Sequence, residues 1–275
     1  MIETLENLAV ELGPVKAALF ATIFTWLMTA VGASVVLFFK TINRAVFDTM
    51  LGFTGGVMIA ASFWSLLNPS LQYAEQIYGG MPWLPVAFGF LLGGLLIFSL
   101  DKFLPHLHIN FGKNETEGLP TNWHKSTLLL LAITLHNIPE GLAIGILFGA
   151  AAEHLDGSTV SAAIALAVGI GIQNIPEGMA VSMPLRRLGV SRVKSFWYGQ
   201  LSAIVEPMAG VLGAVAVIYM QNILPFALSF AAGAMIFVVV EEVIPETQRD
   251  KYTDLAVLGF MLGFTIMMIL DVALG

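Results

Sequence analysis

Residues 136–141 read HNIPEG and residues 173–178 read QNIPEG, one word repeated in five of its six positions at a spacing of 37 inside otherwise apolar sequence. Each copy sets a carboxylate and a proline where a membrane helix tolerates neither well. An isolated intramembrane glutamate costs at least ~2.5 kcal/mol on insertion scales, and proline removes a helical hydrogen bond. One buried polar residue is commonly an interhelical hydrogen-bonding group, and one proline a kink. Two carboxylates at matching offsets point instead to function, to which intramembrane ionisable residues default.

Composition fixes the solvent. Of 275 residues, 57% are hydrophobic and 11% charged, with a mean hydropathy of +0.84, values that belong to a bilayer protein. Residues 17–39, 49–74, 76–100, 207–240 and 255–270 contain no Asp, Glu, Lys or Arg. The 207–240 run exceeds the ~20 residues that span a bilayer, so it holds the end of one helix and most of another, hinged near Gln221, Asn222 and Pro225. With the two helices carrying the repeated word, the sequence predicts an all-α polytopic membrane protein of eight spans, at 17–39, 48–68, 83–104, 125–151, 159–184, 194–220, 224–246 and 254–274. The absence of cysteine excludes disulfides and thiolate metal ligands. The opening MIETLENLAVELG carries Glu3, Glu6 and Glu11 and no early Lys or Arg, unlike a signal peptide, so the first span is expected to be retained.

Eleven of the twelve Lys and Arg residues fall on one face of this topology: Lys40 and Arg44; Lys102, Lys113 and Lys125; Arg186, Arg187, Arg192 and Lys194; Arg249 and Lys251. Only Lys16 lies on the other. The positive-inside rule makes the crowded face cytoplasmic. Both termini then lie outside, residues 1–14 form an external segment, and residues 105–124 form a cytoplasmic loop between the third and fourth spans of a single domain, 1–275. The net charge of -7 resides mostly on the outer face and in the membrane interior, and carries no signal for nucleic acid.

A second repeat is weaker. GFLLGGLLIFSLD (89–101) aligns without gaps on GFMLGFTIMMILD (259–271), and FTGGVMI (53–59) on FAAGAMI (230–236). Both pairs run through the membrane in opposite senses, as in an inverted repeat of spans one to three and six to eight around spans four and five, a 3+2+3 arrangement. Chance matches also arise easily in apolar sequence. Inverted repeats with a midplane site are a transporter signature. Glycines at small-xxx-small spacing, such as Gly52 with Gly56 and Gly259 with Gly263, let helices approach closely.

On a helix, His136 and Asn137 share a face with Glu140, and Gln173 and Asn174 share one with Glu177. Pro139 and Pro176 free the carbonyls of Leu135 and Ile172, which a hydrated cation can satisfy. Oxygen and imidazole donors on one level suit a divalent cation. Glu206, the acidic residue of span six, precedes Pro207 and supplies a third carboxylate. Two glutamates shared between helices can bridge two metals about 3.5 to 4 Å apart. Further along, His106 and His108 could hold a cation or be solvated loop histidines, as His154 is read to be. Glu241 and Glu242 lie near the inner end of span seven, Ser65 aligns with Glu242 and falls on the outer half, and Asp101 and Asp271 end their spans, where interfacial charges also occur.

The paired words, the Glu-Pro of span six and eight spans with both ends outside resemble the ZIP (Zrt/Irt-like) family of divalent-metal transporters, in its bacterial GufA-like branch. The resemblance implies a multi-pass protein of the bacterial inner membrane that moves zinc, or cadmium, iron(II) or manganese, into the cytoplasm by elevator-type motion, with a second copy of the chain as a candidate partner and no catalytic cofactor. Position by position it implies a first metal held by Met58, His136, Glu140, Gln173 and Glu177, and a second held by Asn137, Asn174 and Glu206 that shares Glu140 and Glu177. It likens His106, His108, Glu241 and Glu242 to polar exit residues. Gln173 stands where many members have His and Asn174 where many have an acid, so this centre is poorer in nitrogen and less negative. A selective channel would share every ligand. An intramembrane metalloprotease would need an HExxH arrangement, which the chain lacks.

Overall fold

The computed structural model describes residues 2–103, 125–152, 159–249 and 251–274, and all regular elements among them are helical. The chain forms α1 (Ile2–Leu12), α2 (Pro14–Phe38), α3 (Arg44–Ala61), α4 (Asn68–Tyr78), α5 (Trp83–Phe103), α6 (Lys125–Ala152), α7 (Val160–Arg187), α8 (Arg192–Leu201), α9 (Val205–Tyr219), α10 (Leu224–Val238), α11 (Ile244–Thr247) and α12 (Thr253–Leu274). Eight helical stretches are long and apolar enough to cross a membrane.

Where the spans depart from expectation, the reason is local. The second span runs to Tyr78 rather than ending at 68, through a π-helical stretch Ser62–Leu67 that joins α3 to α4. Pro69 does not stop it, because Pro69 falls in the first turn of α4, where proline is tolerated. The sixth span is broken at residues 202–204, between α8 and α9. The seventh is α10, a π-helical turn Val239–Val243, and the short α11. The hinge near Pro225 is a 3-10 turn, Gln221–Ile223, with Pro225 in the first turn of α10. Residues 1–14 are not merely a tail, since Ile2–Leu12 forms α1. His106, His108, His154 and the 105–124 loop lie outside the described residues.

Four helix pairs pack most extensively: α3 with α12, α5 with α10, α2 with α7 and α6 with α9. The first two pairs are keyed by glycine in the same way. A methyl group on Gly56 would overlap the carbonyl oxygen of Phe260, and one on Gly233 that of Phe90. A methyl on Gly93 would overlap the carbonyl of Phe230, and one on Gly263 that of Phe53. A shift of 177 positions carries Phe53 and Gly56 onto Phe230 and Gly233, and a shift of 170 carries Phe90 and Gly93 onto Phe260 and Gly263. These four contacts of one half therefore recur in the other. The π-helical segments, Ser62–Leu67 and Val239–Val243, correspond at the same shift of 177.

Two groups of helices emerge. α2, α6, α7, α8 and α9 pack among themselves, as do α3, α5, α10 and α12, and the groups meet through α3 with α7, α6 with α10 and α7 with α12. Backbone contact at the glycines tests the keying directly. Gly93→Ala should destabilise the purified protein by about 1–3 kcal/mol, because the added methyl meets backbone that cannot yield. Gly94→Ala should be near neutral, since its nearest atom would be the Gly233 carbonyl at 3.8 Å. Thermal unfolding in detergent separates the two, and equal melting temperatures would contradict the keyed packing.

Candidate metal centre

α6 and α7 run unbroken through Pro139 and Pro176, each against a partner from outside the repeated words. α6 lies on α9 and α7 on α2. The glycine closing each word explains how closely. A methyl on Gly141 would collide with backbone of Glu206, and one on Gly178 would overlap the carbonyl of Thr29. Thr29 and Glu206 correspond at the shift of 177, so both words are clamped by equivalent turns of α2 and α9.

The two asparagines are held alike. Asn137 Nδ2 donates to the Ser202 carbonyl at 3.0 Å, in the break between α8 and α9, and Asn174 Nδ2 donates to the Thr25 carbonyl at 3.1 Å. Asn174 Nδ2 also donates to Glu206 Oε1 at 2.9 Å, and the Thr25 hydroxyl donates to the other oxygen of Glu206. Gln173 Nε2 donates to Glu140, while the Thr54 hydroxyl donates to the backbone carbonyl of Gln173 at 3.3 Å. Glu140, Gln173, Asn174 and Glu206 are fully buried. Glu140 lies within electrostatic range of both Glu177 and Glu206.

Beside this network lies a narrow cavity of about 40 Å³, lined by Thr54 and Met58 of α3, His136 of α6, Glu177 of α7 and Glu242 of the π-helical turn. That volume suits an ion or a few waters. His136 Nε2 stands 3.8 Å from Glu242 Oε1.

The polar balance of the centre is one-sided. Asn137 Oδ1, Glu140 Oε2, Gln173 Oε1 and Asn174 Oδ1 are buried and accept no hydrogen bond among the described residues. All four are acceptors, and leaving such a group buried without a donor costs about 1–3 kcal/mol. Oxygen acceptors of this kind are what hard and borderline cations coordinate. Among the described residues, no three His, Asp or Glu side chains are grouped closely enough to hold an ion as they stand. The cause is visible in the bonds: Gln173 turns its NH2 onto Glu140, and Thr25 and Asn174 occupy Glu206. Turning the Gln173 amide over would exchange a donor for an acceptor at the same place.

The structure thus brings Met58, His136, Glu177 and Glu242 to one cavity, pairs Glu140 with Gln173, and pairs Asn174 with Glu206. Ser65 donates to Asp271 at 2.6 Å. Glu241 is exposed and does not line the cavity. Thr25, Thr54 and Ser202 escaped the sequence reading. A signal was present for two of them: Thr22, Thr25 and Thr29 form a buried stripe on α2, and at the shift of 177 they fall on Gly199, Ser202 and Glu206.

Comparisons with known proteins identify the family. The family profile described as ZIP Zinc transporter matches residues 113–271, more than half of the chain. The chain belongs to the ZIP family. It is 41% identical to zinc transporter ZIP11 of Homo sapiens, over 94% of this chain and 97% of that protein. It is 35% identical to zinc transporter GufA of Myxococcus xanthus, over 94% and 99%, which supports its place in the GufA-like branch. It is 41% identical to zinc transporter ZIPB of Bordetella bronchiseptica, over 90% of this chain and 78% of that protein. Eight apolar helices and this membership make the chain a multi-pass membrane protein.

In this ZIP chain Glu206 depends on a hydroxyl that no charge pattern would flag. Thr25→Val keeps the shape and removes the donor, and should lower the stability of metal-free protein by about 1–3 kcal/mol. Thr22→Val, whose hydroxyl bonds only carbonyls of its own helix, should cost less. Melting temperatures in the presence of a chelator give the comparison.

Proposed function

We propose that this chain carries zinc and related divalent cations into the cytoplasm through the centre between α6, α7 and α9. The observation that carries this reading is the set of four buried, unpaired acceptor oxygens on the two proline-containing words. In the proposed centre a primary ion takes His136, Glu140, Gln173 and Glu177, with the thioether of Met58 from α3. An auxiliary ion takes Asn137, Asn174 and Glu206 and shares Glu140 and Glu177. The bonds that Thr25 and Asn174 make to Glu206 favour the primary position, since an auxiliary ion must displace them. One imidazole, one thioether and several oxygens suit zinc and cadmium, and also iron(II) and manganese. The relatives ZIP11, GufA and ZIPB are zinc transporters, which favours zinc.

Alternating access is supported by the division of helices. α2, α6, α7 and α9 carry every proposed ligand except Met58, and they meet the second group through few helix pairs. We read the first group as moving against the second, in a 3+2+3 arrangement of one domain whose two halves are related by the recurring contacts. Ser65 and Asp271 then mark the outer approach and Glu242 the inner exit, with the loop residues His106 and His108 beyond it. The inward direction is what the family resemblance implies, and charge supplies only the orientation. Arg192 reaches the carbonyl of Leu37 and Arg44 reaches Glu246, so the ends rich in Lys and Arg gather on one side. That side is assigned to the cytoplasm of the bacterial inner membrane, with both termini outside.

Uptake of zinc into proteoliposomes of the purified protein is the test. Glu140→Gln removes a charge shared by both proposed ions and should reduce uptake by about tenfold or more. His136→Ala should weaken zinc uptake while leaving competition by magnesium unchanged, because magnesium makes little use of imidazole. Uptake should also rise from about pH 5 to about pH 7.5, since protons compete with the metal for imidazole and carboxylates. A properly inserted Glu140→Gln protein that transports like the parent would contradict the assignment. Saturation at modest turnover distinguishes a carrier from a channel.

A further inference from the structure

Arg44 opens α3 and is held between two buried carboxylates. Its Nε lies 2.8 Å from Asp48 Oδ1, and its Nη2 donates to Glu246 Oε1 at 2.8 Å and to the Glu246 backbone carbonyl at 3.4 Å. Asp48 is fully buried and Glu246 nearly so. Helix electrostatics alone would not place a cation here, because the first turn of a helix favours anions. The cap is already supplied by Asn43, whose side chain accepts from the Ala45 N–H at 2.9 Å. The two carboxylates account for Arg44, which shares Glu246 with Arg249, whose Nη1 lies 3.9 Å from Glu246 Oε2.

The segment that Arg44 grips departs from regular α-helix. Pro245 has no N–H to donate, and the Ile244 N–H donates to the Val239 carbonyl in the wider π-helical pattern. The π-helical turn Val239–Val243 interrupts the regular ladder, and α11 is only four residues long. Glu242 lies in that turn, one helical turn before Glu246, with its carboxylate 3.8 Å from His136 Nε2. On α3, Arg44, Asp48, Leu51 and Met58 fall on one face. Leu51 and Met58 line the same cavity as His136 and Glu242. Two facing stripes therefore lead from the cavity to the Arg44 pairs.

The related joint at the other end of the molecule is also tied across. Ser70, just beyond the π-helical segment Ser62–Leu67, donates to the Pro225 carbonyl of α10 at 2.6 Å. At the shift of 177, Ser70 falls on Thr247, and Pro225 answers to Asp48. One end is tied by a neutral hydrogen bond and the other by ions.

We propose that Arg44 is a positioning residue for the inner end of the metal path: by clamping the Val239–Thr247 segment to α3 through Asp48 and Glu246, it fixes Glu242 beside His136. The proposal rests on the reading of Glu242 as the residue that receives metal leaving the centre. It acts at a distance from the ions, through the helix that carries Glu242.

A double-mutant cycle in proteoliposomes tests it. Arg44→Gln should lower maximal zinc uptake by about tenfold or more, the usual effect of losing a partner that orients a metal-handling residue. Arg44→Lys keeps the charge but cannot span both carboxylates, and should lose about threefold. Glu242→Gln should be impaired, and adding either Arg44 substitution to it should lower uptake no further. Losses that multiply, or an Arg44→Lys protein equal to the parent while Arg44→Gln fails to insert, would overturn the clamp. So would parental uptake by Arg44→Gln. Parental uptake by Glu242→Gln would instead remove the exit role of Glu242, and the clamp with it. Impaired Glu242→Gln beside an unaffected Arg44→Gln would remove only the clamp.

Discussion

Acceptor oxygens buried without donors are the constraint around which the structure is arranged. The two words bring two carboxylates and three amides into apolar surroundings, and α9 adds a third carboxylate. Thr25 and the amides of Asn174 and Gln173 meet part of that demand. The remainder, one oxygen each on Asn137, Glu140, Gln173 and Asn174, calls for a positive charge. Burial makes the demand strict, because in a medium of low polarity an unmet acceptor has no water to turn to. The glycines closing each word help to keep it so, by holding α6 and α7 in backbone contact with α9 and α2.

Symmetry explains why the same solutions appear twice. Asn137 on the Ser202 carbonyl and Asn174 on the Thr25 carbonyl are one bond related by shifts of 37 and 177, and the glycine contacts of α3 with α12 are those of α10 with α5. Departures from the symmetry mark where the halves have diverged. α8 and α9 are broken at residues 202–204, where α2 is continuous, and Glu206 stands where the first half has Thr29. The first half supplies hydroxyls and the second a carboxylate, and the two meet in the Thr25–Glu206 bond.

Much of this was legible in the sequence because a bilayer makes errors of polarity expensive. Charge-free runs located the spans, and the words at 136–141 and 173–178 located the centre, since carboxylates and prolines stand out against apolar sequence. Partners that look ordinary were not legible. Thr25 is one of several threonines in an apolar helix, and a hydroxyl is cheap enough in a membrane to appear for many reasons. The expected second span ends at 68, yet Pro69 falls in a first turn, where proline leaves a helix free to continue to Tyr78. Arg44 read as a topology signal on the cytoplasmic face, because sequence alone does not place Glu246 against it. The pairing depends on the π-helical turn, which shifts the helix phase between Val239 and Val243 and which no residue pattern announces.

We place the cation at the unpaired oxygens of α6 and α7. Anomalous scattering at the zinc edge, recorded from crystals of zinc-loaded protein, addresses it without relying on transport. A peak is expected between α6 and α7, within coordination distance, about 2.0–2.2 Å, of Glu140, Gln173, Glu177 and the His136 imidazole. A peak confined to the 105–124 loop or to the outer face, with none between α6 and α7 at saturating zinc, would contradict it.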